Sequence, residues 1–63
     1  MKLIINYQPL NMPVSWDHVR TEIISYPYQT VTRKNIDGAV ANWVHFYHLP
    51  IKAISWKLVR GFK

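Results

Sequence analysis

Between residues 36 and 47 the apolar side chains fall at Ile36, Val40, Trp43, Val44 and Tyr47. This is the i, i+4, i+7, i+8, i+11 spacing of one helical face, and Ala39 and Phe46 widen it. No other stretch of the chain has so regular a period. It predicts a helix that must bury one side against a partner layer. Thr30 or Thr32 is placed to cap it, with Asn35 as a later option, and Leu49-Pro50 ends it. Gly38 lowers helix propensity by about 1 kcal/mol relative to alanine and is expected to mark a close contact.

The partner layer comes from the two ends of the chain. Residues 2–7, KLIINY, are β-branched and aromatic and read as a strand with Leu3, Ile5 and Tyr7 on one face. The tail from Ile51 to Arg60 reads as a second strand, with Ile54, Trp56 and Leu58 on one face and Ser55 and Lys57 on the other. Between Pro13 and Pro27, Ser15 looks like an N-cap and Asp17 suits the first helical turn. Val14 and Val19 have hydrophobic-staple spacing, so a further helix is expected from Trp16 to Ser25, with Trp16, Val19 and Ile23 as its stripe.

The expected fold is therefore a small α+β single domain spanning residues 1–63, in the order strand-helix-helix-strand. The terminal strands would pair at the centre of the sheet and carry both helices on one face. A helix-turn-helix or winged-helix arrangement is one form of this order. The expected core is Ile36, Val40, Trp43 and Val44 of the later helix, Trp16, Val19 and Ile23 of the earlier one, and Ile54, Trp56 and Leu58 of the tail.

A chain of 63 residues lies near the lower limit for a domain that folds without staples, and it has no cysteine. Disulfides and thiolate metal sites are therefore excluded. An apolar fraction of 49% fits a packed globule. So short a chain with an open strand edge is expected to form a homo-oligomer. The first residues are too polar for a signal peptide, and no run approaches the roughly 18 apolar residues of a membrane span. A cytoplasmic protein without a membrane partner is expected.

Eight Lys and Arg against three acids give a net charge of +5, which points to an anionic partner. The cations gather at two places. One is the start of the later helix, where Thr30, Thr32, Arg33, Lys34 and Asn35 surround free backbone N–H groups. Arg33 and Lys34 oppose the positive end of the helix dipole, so an anion or some other compensation belongs there. The stretch TVTRKN resembles the start of a recognition helix in helix-turn-helix proteins, which implies contacts to phosphates and base edges. The other place is the tail, where Lys52, Lys57, Arg60 and Lys63 occur with no acid after Asp37. In a winged-helix protein such a strand lies on the phosphate backbone, whereas on a sheet edge the same lysines guard against aggregation.

Tyr26, Tyr28 and Trp56 would stack unpaired bases if exposed, and would be core otherwise. His45 and His48 have i, i+3 spacing, but a histidine in a last helical turn is already explained by the dipole, and no metal site or cofactor is expected. Asp17, Glu22 and Asp37 are the only acids, and there is no phosphate loop or nucleophile motif, so no enzyme is expected. The expectation is a DNA-binding or other nucleic-acid-binding regulatory accessory protein, of the kind found in phages and mobile elements. The alternative is a protein-interaction module or inhibitor that docks on an acidic partner surface.

Overall fold

The central element is strand β1, Lys2–Pro9. It is paired antiparallel on both sides, with β2 (Arg20–Ser25) and β3 (Ile51–Val59), in the sheet order β2-β1-β3. The computed structural model describes residues 1–60, so Lys63 and the expected break at Gly61 lie outside the described residues. Helix α1, Arg33–Phe46, connects β2 to β3. Those two strands run parallel with β1 between them, so the connection is a split β-α-β crossover with the helix on one face of the sheet. Among the described residues no helix is long and apolar enough to cross a membrane.

The mixed α+β class is as expected, but the strand-helix-helix-strand order is not. Ser15 does cap a turn, its side chain accepting from the Asp17 N–H, but the turn is a three-residue 3-10 helix, Trp16–His18. Residues 20–25 then form β2. The local cap signal is real. What decides the segment is its β-branched content, Val19, Thr21, Ile23 and Ile24, together with pairing partners on β1. Leu3 faces Ile24 and Ile4 faces Ile23 across that ladder. Among the described residues there is one long helix and no helix pair, so the helix-turn-helix and winged-helix forms are not borne out. The terminal strands do pair, but only β1 is central, and β3 is an edge.

The core sits where α1 crosses the sheet. Leu3, Ile5 and Tyr7 meet Ala39, Val40 and Ile51, and Ile36, Trp43, Val44, Tyr47 and Leu58 pack around them. Tyr7 lies edge-on to Trp43 at 5.2 Å, and its hydroxyl shares a 3.1 Å hydrogen bond with that of Tyr47. That bond and burial hold the Tyr7 hydroxyl above its ordinary pKa. Trp16 (77% exposed) and Ile23 (46%) are not core, because the helix that would have buried them does not exist. Trp56 is only partly covered, at 38%. Gly38 marks no close contact: a Cβ there would meet nothing.

A bulge on β3 explains why the expected alternation there is incomplete. Asn6 pairs with Ser55, but Tyr7 pairs with Ala53, so Ile54 is the extra residue. Ile51 and Ala53 before the bulge, and Trp56 and Leu58 after it, therefore turn to the helix side. Among the described residues, the one fully buried polar side chain is Gln8. Its Nε2 donates to the Met12 and Pro13 carbonyls and its Oε1 accepts from the Ser15 N–H, which pins the β1–β2 loop.

Ile5→Ala is expected to cost about 2–5 kcal/mol, and Trp16→Ala to stay within about 0.5 kcal/mol of wild type. Thermal or denaturant melts of the two variants check this ranking of a fully buried residue against a large exposed one.

Candidate interaction surface

Helix α1 begins in a closed hydrogen-bonded knot. Thr32 is the N-cap, in extended conformation (φ −133°, ψ 156°), and its Oγ1 accepts from the Asn35 N–H at 3.1 Å. The Asn35 Nδ2 donates to the Thr30 carbonyl at 3.1 Å, and the buried Tyr26 hydroxyl donates to the same oxygen at 2.7 Å. Thr32 and Asn35 are thus engaged in holding the helix start. Tyr26 packs edge-on to Tyr28, and the interactions of Trp56 lie elsewhere, so these three aromatics form no common stacking platform.

Arg33 finds its compensation one turn along the helix. Its Nε lies 3.8 Å from Asp37 Oδ2, an exposed i, i+4 pair of modest worth. Asp37 Oδ1 accepts from Trp56 Nε1 at 3.1 Å, which ties α1 to β3. Lys34 is exposed, and the first turn contains no acid. Lys34 therefore remains opposed to the dipole.

A groove runs between α1 and β3. At the helix N-terminal end, a hollow of about 530 Å³ has Thr32, Arg33 and Ile36 on one wall and Ile54, Trp56 and Lys57 on the other. Toward the helix C-terminus, a second hollow of about 640 Å³ is lined by Asp37, Val40, Ala41, Val44 and His45, a helical-period face. Ile51, Lys52, Ala53 and Trp56 close it from β3, and Leu10 closes its end. The two hollows share Asp37 and Trp56, whose hydrogen bond spans from β3 to α1 between them.

Of the residues singled out in the sequence, Thr32, Arg33 and Lys57 line one hollow and Lys52 the other, although in the ladder Lys52 and Lys57 alternate to the side of the sheet away from α1. Thr30, Lys34, Asn35 and Arg60 line neither hollow. The apolar wall from Val40, Ala41 and Val44 went unassigned in the sequence as a surface. Helical period marks an apolar face without saying how wide the layer beneath it is. Large apolar side chains are also exposed around the groove's far end and on the β1–β2 loop: Leu10, Met12, Val14, Trp16 and Leu49.

The chain matches no known family model, no curated protein and no solved structure.

Lys34→Glu is expected to raise stability by about 0.3–1 kcal/mol, because an acid suits the first turn. Arg33→Glu should gain less, since it removes the Asp37 pair and sets two carboxylates one turn apart. Parallel melts of the two variants at low salt test this difference.

Proposed function

We propose that this chain is a protein-interaction module, without catalysis of its own, that docks on an acidic surface of a partner protein. The observation that carries the reading is the α1–β3 groove. Its lining is apolar at Ala41, Val44 and Ala53 and cationic at Arg33, with Lys52 and Lys57 on the β3 edge beside it, alternating to the far side of the sheet. Asp37, the acid within it, already bonds Trp56 and faces Arg33. An apolar centre with a cationic rim suits a partner that offers an apolar side chain among carboxylates. In such a contact Trp56 is an anchor and the cations steer the encounter.

Nucleic-acid binding is the second reading. Arg33 lies beside the half-exposed Trp56, with Lys57 next to it on the β3 edge, which favours phosphates beside a stacking ring. Lys34, Lys52 and Arg60, with Thr30 exposed beside the cap, would extend the positive field around it.

Capture experiments with nuclease-treated extract separate the two. Ala41 is exposed on the groove wall, so Ala41→Glu adds a carboxylate there without disturbing the core. The expected result is a retained protein that survives nuclease and is lost with Ala41→Glu. If nuclease removes the retained material, and oligonucleotide affinity falls with salt and with Lys57→Glu, the nucleic-acid reading replaces this one.

A further inference from the structure

The two edges of the sheet are built differently. The β3 edge carries Lys52 and Lys57 and is broken by the bulge at Ile54. Lysines and bulges are the usual guards against edge-to-edge pairing. Edge strand β2, Arg20–Ser25, has neither: it contains no lysine, no proline and no register shift in its ladder with β1. Its outer backbone groups are unpaired within the sheet, because β1 is its only neighbour.

The side chains of β2 select a partner. Arg20, Glu22 and Ile24 lie on the helix side of the sheet, opposite Tyr7, Ile5 and Leu3 of β1, and Thr21 and Ile23 lie on the open side. Arg20 and Glu22 are both exposed, and neither belongs to an ion pair among the described residues. An antiparallel two-fold pairing of β2 with itself keeps the helix sides together only if it is centred on a residue. Centred on Glu22, it sets two carboxylates face to face. Centred on Ile23, it sets Glu22 opposite Ile24. Centred on Thr21, it sets Arg20 of each copy opposite Glu22 of the other, twice. It also brings Val19, which is already extended (φ −78°, ψ 132°), opposite Ile23.

We propose that this protein forms a homodimer through β2, in the antiparallel register centred on Thr21, giving a continuous six-stranded sheet closed by reciprocal Arg20–Glu22 pairs. The occupant of the open edge is a second copy of this chain. The β2-facing side of α1, where Trp43 and the 76%-exposed Phe46 overhang Ile24, then stands over an extended sheet floor. This surface lies across the sheet from the α1–β3 groove, so the dimer stands or falls separately from the proposed function.

The test is sedimentation velocity over a concentration series for wild type, Arg20→Glu, Glu22→Arg and the double exchange R20E/E22R. All four are checked by circular dichroism for an unchanged fold. General repulsion between basic chains predicts that Arg20→Glu tightens association and Glu22→Arg weakens it, because their net charges move in opposite directions. The Thr21-centred register predicts that both single reversals weaken the dimer by about tenfold or more, and that the double exchange restores it. A strictly monomeric wild type at millimolar concentration overturns the proposal. So do single reversals of opposite sign, or a double exchange that fails to restore association.

Discussion

Strand β1 is used on three sides, and the remaining elements take their places from that. Both of its edges are hydrogen-bonded, to β2 and to β3, and its Leu3, Ile5 and Tyr7 side chains are buried under α1. A chain this short buries a smaller fraction of its surface than a larger domain does. Its stability is therefore concentrated in few residues, and a single aromatic joins several of them. Tyr7 packs on Trp43 and Tyr47 and bonds the Tyr47 hydroxyl, so the strand, the helix and the helix exit meet at one ring. Taking that hydroxyl out of water without a partner would be costly, and the shared bond removes the penalty.

The same economy governs the groove. Asp37 is on the surface, yet it links Arg33 at the helix start to Trp56 on β3. The cationic helix start is thus answered twice, by the Thr32 cap and by a carboxylate one turn later. No bound anion is required to account for Arg33. Lys34 has no such answer, and it is the residue for which an external anion would make the most difference.

Much of this was legible in the sequence where the signal is local. The apolar period of α1, a threonine cap left open between Thr30 and Thr32, and its end before Pro50 are all carried by neighbouring residues, as is the β-branched run of β1. The segment from Trp16 to Ser25 was not legible, because two local signals conflict there. A good cap and a helix-like stripe at Trp16, Val19 and Ile23 compete with β-branched residues whose partner strand lies far away in sequence. Tertiary pairing with β1 settles that conflict in favour of a strand. The β3 bulge was hidden for a related reason: an extra residue is visible only against the ladder it interrupts. For the groove, the cations were found individually, but the placing of Arg33 beside Trp56 depends on the crossover that lays α1 alongside β3.

Backbone amide hydrogen exchange, read residue by residue, tests the central place of β1 most directly. With both edges paired and one face under the helix, the amides of Leu3 through Tyr7 should be the slowest to exchange in the molecule, with those of residues 20–25 and 51–59 exchanging faster on their outward-facing positions. If residues 16–25 instead show helical protection and helical carbon shifts, or if β1 exchanges as fast as the edge strands, β1 is not the element around which this fold is built.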